Sequence, residues 1–169
     1  MSEFDRTASG PTRPGAFAYD SHSAPELYDG VLSKRIVAFI VDAIIIVALM
    51  IPAALVLIVV GFVTLGLAWL LFPALFALVA LGYVALTLGG RNSATVGMRW
   101  SGLETRTWNG APMFPLLAIM HSLLFWFSVS FLTPLILLVG LFTPRKQLLH
   151  DLILGTVVVN SGPLHRMAL

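Results

Sequence analysis

Arg35, Ala38 and Asp42 fall at i, i+3 and i+7, which puts them on one face of a helix. From Ile36 to Val60 the only ionisable residue is Asp42. A carboxylate at the centre of a membrane-spanning helix costs about 2.5–3.5 kcal/mol on insertion scales, so Asp42 requires a partner, a proton or a wet path. Arg35 stands about 10 Å from it along the helix axis, too far for a direct bond unless both side chains reach toward each other. Ala38 between them is small enough to let another segment approach. A second cluster, Arg145-Lys146-Gln147-Leu148-Leu149-His150-Asp151, lies far along the chain. Its Asp151 can cap a short helical turn or pair with Arg35 or Lys146, and an unperturbed histidine such as His150 titrates near neutral pH. His121 adds an ionisable group inside a third apolar region. Two readings are open. In one, these groups form an ion or proton site around Asp42, with His150 or His121 as proton partner. In the other they are a structural clasp, with Arg35 snorkelling at the boundary, His150 an interfacial histidine and His121 bonded to a neighbouring helix.

Other chemistries have no residues to carry them. No cysteine is present, which removes disulfides, thiolate metal sites and cysteine nucleophiles. The sequence contains no Gly-x-x-x-x-Gly-Lys-Ser/Thr loop, no His-Glu-x-x-His helix and no Gly-x-Ser-x-Gly turn. The expectation is a protein that is not an enzyme, with no catalytic residues, cofactor or metal, and with no nucleic-acid partner.

The elements that must position the charged groups follow from composition and periodicity. The chain is 58% hydrophobic and 11% charged, against about 25% charged for a soluble domain. It therefore reads as an integral membrane protein whose first partner is the bilayer. Residues 1–31 read as a disordered cytoplasmic tail that includes Phe17, Tyr19 and Tyr28, residues 32–160 as the transmembrane domain, and residues 161–169 as a short C-terminal tail. The first span runs from about Ile36 to Val60 with Pro52 inside it, and Gly61 to Gly66 forms the turn. The second runs from about Leu67 to Leu88, with Trp69 and Tyr83 in the interfacial belt and Pro73 in an early turn. Gly89-Gly90 stops that helix, and Arg91-Asn92-Ser93 offers cap residues. A strand is expected from Trp100 to Thr107, followed by a turn at Asn109-Gly110. The third apolar region, Met113 to Phe142, is about 30 residues long, with Thr133-Pro134 as a candidate break. One span is too short for it and two are too long, so a broken or re-entrant pair is expected. Gly155 to Asn160 reads as a strand that needs a partner, and 100–107 is the available one. Lys34, Arg35, Arg91, Arg99 and Arg106 place that face, and both termini, in the cytoplasm. Ser122, Ser128, Ser130 and Thr133 suit helix–helix contacts or a polar lining, and Trp126 with Phe125 and Phe127 suits lipid-facing bulk.

These residues also carry a resemblance. Arg35 and Asp42 in the first helix, with Asp151 in a Leu-His-Asp element before Gly155-Thr156-Val157-Val158, resemble the RDD family of small bacterial membrane proteins, named for one arginine and two aspartates. Ala94-Thr95-Val96-Gly97-Met98-Arg99 is similar to its small-Thr-x-Gly-Lys-Arg element, with Met98 where lysine is usual. The resemblance covers about Leu32 to Asn160 and brings Thr95 and Arg99 in as secondary site candidates. It implies a multi-pass protein of the bacterial cytoplasmic membrane. It further implies a role in ion or small-solute transport, with a monovalent cation or proton exchanged through Arg35, Asp42 and Asp151. A chain this small is expected to work as a homo-oligomer or within a larger membrane complex. The alternative is a non-transporting scaffold or accessory subunit. The fold expected is all-α, with two long transmembrane helices, a broken third membrane region and a small cytoplasmic strand pair.

Overall fold

The computed structural model describes Tyr19, Ser21 and residues 24–132 and 135–167. The expected leader through residue 18, with Phe17, and the break proposed at Thr133-Pro134 lie outside them. The first helix, α1 (Val31–Val63), has 33 residues and continues through Pro52, giving it a length of about 50 Å. Beyond Asp42 it is apolar on every side. Ile44, Val47, Ile51, Leu55 and Val59 are exposed at 60% or more, the pattern of a helix surrounded by something other than water. The turn is shorter than expected and covers only Thr64 to Gly66. Trp69 folds back across it, its indole N–H donating to the Ile58 carbonyl at 3.3 Å. Its ring lies where a side chain on Gly61 would have to stand, 1.7 Å from an ideal Cβ.

The second apolar run is not one α-helix. Leu67–Ala74 winds as a 3-10 helix containing Pro73, and α2 (Leu75–Thr87) takes over from it. Pro73 has no N–H to donate to an i−4 carbonyl. By length and apolarity, the helices ending at Val63 and Thr87 are both able to cross a membrane.

After Gly89-Gly90 the chain makes a short helix, α3 (Val96–Trp100), which takes the residue where the strand was expected to begin, so that the strand starts at Leu103 instead. Thr95 overrides the alternation. Its hydroxyl accepts the Met98 N–H at 3.1 Å, an N-cap that commits the next residues to a helical turn. The cap is thus Thr95 rather than Arg91-Asn92-Ser93. Ser93 is fully buried and serves the loop instead, where its carbonyl accepts the Thr105 N–H at 2.8 Å and its hydroxyl the Met113 N–H at 2.9 Å. Gly102, at φ +69°, reverses the chain into β1 (Leu103–Thr107).

The described residues of the third region form α4 (Pro115–Leu132) and α5 (Leu135–Phe142). Then come α6 (Leu149–Leu154), β2 (Thr156–Asn160) and α7 (Ser161–Met167). β2 pairs antiparallel with β1, from Leu103 opposite Asn160 to Thr107 opposite Thr156. The expected return of the C-terminal strand to the loop strand is observed. The terminal segments are more ordered than expected. Residues 161–167 are helical, and the 3-10 turn Pro25–Leu27 packs with Leu164 over Val157 and Val159, burying Leu27 and Tyr28. The apolar packing on β2 provides what a solvated leader lacks, so the ordered fold begins before residue 32.

Candidate functional site

Asp42 lies on the face of α1 that meets α3. Its Oδ1 accepts the Tyr83 hydroxyl at 2.6 Å and the Gly97 N–H at 2.8 Å, and its Oδ2 accepts the Thr95 hydroxyl at 2.5 Å. The Gly97 N–H is one of the unsatisfied donors of the first turn of α3, so the carboxylate acts as a cap supplied from another helix. The contact requires both small residues. An ideal Cβ on Gly97 would stand 2.2 Å from the Ala38 carbonyl and 2.9 Å from the Asp42 carboxyl carbon, and Ala38 is 2% exposed. The space predicted at Ala38 is therefore filled, by α3. Tyr83 is a correction: it faces inward, 8% exposed, instead of lying in an interfacial belt.

Arg35, about two turns back along the same face of α1, pairs elsewhere. Its Nη1 meets Asp151 Oδ2 at 2.6 Å, and that oxygen also accepts the Leu148 N–H at 3.0 Å, closing the first turn of α6. Asp151 is fully buried. Burial alone would raise its pKa. The Arg35 guanidinium, then His121 and His150, and the Leu148 N–H outweigh that and hold the carboxyl at about 2. The pair joins α1 to α6. Lys34 makes a parallel tie: its Nζ donates to Asn160 Oδ1 at 2.6 Å, while the Asn160 amide donates to the carbonyls of Glu26 and Asp29. The expected site of Asp42 with His150-Asp151 is thus two separate constellations on one face of α1, about two turns apart.

A cavity of about 230 Å³ lies between them, walled by α1, α2, α4 and the polar segments. Its surface is mainly apolar, and Arg35, Asp42, Thr95, His121, Ser122 and His150 supply the polar edge. His150 is 2% exposed, not interfacial. Burial pushes its pKa down to about 4, against the pull of Asp151. Its ring stands edge-on to His121, centroids 4.7 Å apart, and to Phe125 at 5.3 Å. Both imidazoles turn Nε2 toward Asp151 Oδ1, at 3.7 Å for His121 and 3.6 Å for His150. Thr156 backs the group, its hydroxyl 3.3 Å from Asp151 Oδ1 and 3.4 Å from His121 Nδ1. Arg35 Nε and Nη2 and His150 Nδ1 are buried without a hydrogen-bond partner among the described residues.

Of the secondary candidates, Thr95 belongs to the Asp42 constellation, while Arg99 is exposed at the end of α3 and joins neither. Met98 lines the cavity and takes a contact from the Thr105 hydroxyl at 3.9 Å, an apolar duty that needs no charge. Phe125 packs on His150 instead of facing outward, whereas Phe127 is 64% exposed. Ser122 lines the cavity, and Ser128 and Ser130 bond carbonyls of their own helix. Sequence reasoning missed Tyr83 and Thr156 as partners of the two aspartates. A lone tyrosine in an apolar run is the available signal for the first, and Thr156 gave none beyond its strand propensity.

No curated protein and no solved structure matches the chain. The RDD family matches residues 30–155, which takes in Arg35, Asp42, the Thr95–Arg99 element and Asp151. With most of its length matched and its arginine and both aspartates paired within the described residues, the chain belongs to the RDD family.

Proposed function

We propose that this chain is a multi-pass protein of the bacterial cytoplasmic membrane that binds and moves a small cation or proton, rather than an enzyme. The observation that carries the reading is the cavity beside His121, His150 and the Arg35–Asp151 pair. Apolar walls with a few convergent polar groups are the usual form of a binding site. The stretch Ala43–Val63 is uncharged and about 31 Å long at helical rise, which matches a hydrocarbon core of about 30 Å. Asp42 then lies at the edge of that core instead of its centre. The β1–β2 pair keeps both described ends of the chain at the end of the molecule where α1 begins. Lys34, Arg35, Arg91, Arg99, Arg106, Arg145 and Lys146 cluster there, which favours the cytoplasm.

In this reading Asp42 is a fixed fastener and the polar edge near Asp151 is the working part. One chain encloses little more than the cavity, so a path across the bilayer is completed by further copies seated on the exposed apolar faces. Flux of protons and monovalent cations through the protein reconstituted in liposomes tests it. His150→Gln should reduce flux at least ~10-fold while the protein stays folded. Flux absent from the wild type, or unchanged in that variant, sinks the proposal.

A second reading has its own support: each of Arg35, Asp42 and Asp151 already holds a partner within the chain. The trio then fastens α3 and α6 to α1 in a scaffold or accessory subunit. Asp151→Asn should in that case lower folded yield in membranes with no flux to lose, and a larger membrane partner should co-purify with the wild type.

A further inference from the structure

We propose that His121, His150 and Asp151 form a binding site for a divalent transition-metal ion of the zinc class. One ligand atom from each residue lies within 4.8 Å of the other two, and the three residues come from α4, from the first turn of α6 and from its next position. The pairs measured to Asp151 Oδ1 are 3.7 and 3.6 Å, longer than a hydrogen bond. They are close to the separation of about 3.3–3.4 Å between two ligands that each sit 2.0–2.1 Å from a tetrahedral ion. A modest rotation of the imidazoles closes the triangle.

Hydrogen bonding favours the ligand form of the ring. Thr156 Oγ1 faces His121 Nδ1 and Asp151 Oδ1 together. It can accept the Nδ1 proton of His121 while donating its own to the carboxylate. That leaves the His121 Nε2 lone pair pointing at the Asp151 oxygen, an arrangement that needs a cation between them. A hydroxyl that fixes tautomer and carboxylate at once is the kind of outer contact metal sites use. Asp151 also divides its duties. Oδ2 takes Arg35 and the Leu148 N–H, and Oδ1, which accepts the Thr156 hydroxyl, keeps a lone pair for the ion. Arg35 is the opposing influence, because its positive charge weakens a dication nearby. The carboxylate between them shares its charge with both, and the expected affinity is below that of a four-ligand structural zinc site. Two imidazoles with one carboxylate select zinc, cobalt or manganese over sodium, potassium or magnesium. The ion enters through the cavity, whose wall contains both histidines. The site does not depend on transport, and a non-transporting subunit can hold the same ion.

The test uses the full chain without an affinity tag, stripped with chelator in lipid nanodiscs and titrated with Co²⁺ under visible absorption. One Co²⁺ per chain with the intense bands of a four- or five-coordinate ion, displaced by one equivalent of Zn²⁺, is expected. His121→Gln and His150→Gln should each weaken binding at least ~10-fold while gel filtration and circular dichroism match the wild type. His165→Gln, a histidine that meets Glu104 instead, should change nothing. Should a glutamine variant fail to fold, His121→Cys replaces it. In a chain with no cysteine, the Co²⁺ complex should then gain a sulfur-to-metal charge-transfer band. No stoichiometric binding by the wild type, full affinity in both glutamine variants, or a cysteine variant that loads without that band overturns the proposal.

Discussion

Replacing Asp42 by alanine removes the acceptor for three donors at once. The Gly97 N–H, the Tyr83 hydroxyl and the Thr95 hydroxyl all end on this carboxylate, and Tyr83 and Thr95 are 8% and 7% exposed. A buried donor left without a partner costs about 1–3 kcal/mol. Two of the three retain some compensation: Thr95 Oγ1 still caps Met98, and the Tyr83 oxygen still accepts the Val96 N–H at 3.2 Å. A loss of about 3–6 kcal/mol is therefore expected, a large part of the ~5–15 kcal/mol that holds a typical domain. Asp42→Asn keeps one oxygen where Gly97 and Tyr83 converge and places its amide toward Thr95, whose hydroxyl can turn to accept, so about 1–2 kcal/mol is expected. Tyr83→Phe should fall near the lower of these. Thermal unfolding in detergent gives the order, alanine worst, asparagine and Tyr83→Phe milder. Hydrogen exchange at the Gly97 amide locates the damage, with protection lost in Asp42→Ala first at α3. An alanine variant with wild-type melting and a protected Gly97 amide would refute the account of Asp42 as the cap of α3.

Removing one partner of the Arg35–Asp151 pair by Arg35→Met should destabilise the fold by about 3–5 kcal/mol, because Asp151 stays buried and charged. The double variant Arg35→Met/Asp151→Leu should recover most of that, read by the same melting experiment. Gly97→Ala should abolish folded protein on size-exclusion chromatography, since the clash is with the backbone of α1. Gly82→Ala, where an added Cβ meets nothing within 4 Å, should be neutral or stabilising by about 0.5–1 kcal/mol. In chelator-treated protein, stability should fall as pH drops from about 6.5 toward 4. Over that window the unfolded chain protonates residue 150 while the folded chain, with its imidazole held down to about 4, does not. His150→Gln should reduce that slope, and a slope left unchanged by the substitution refutes the assignment.

What the sequence made legible is what depends on local pattern. The lone carboxylate in an apolar run, the small residue beside it and the β-branched segment seeking a strand partner each pointed to a real contact. Asp151 was correctly offered Arg35. The errors came where two non-local partners compete. Arg35 and Asp42 share a face of α1, so one joint site seemed natural. Yet each lies beside a different polar segment, and nothing in the spacing tells that Thr95–Gly97 would reach Asp42 first. The strand start at Trp100 failed for a local reason, a threonine cap outweighing an alternating pattern. His150 was read as interfacial because burial of a histidine depends on α4 and Phe125, which lie far away in sequence.

The ties of this fold run between residues made early and residues made late. Arg35 waits for Asp151, 116 positions downstream, and Lys34 waits for Asn160, 126 positions downstream. At ribosomal rates of about 5–20 residues per second, α1 stands for many seconds with its basic end unmatched before either partner exists. Throughout that interval neither side chain has the partner it holds in the finished fold. Loss of the last residue of β2 would leave Lys34 without its partner, and a chain that stopped short of α6 would leave Arg35 without its own as well.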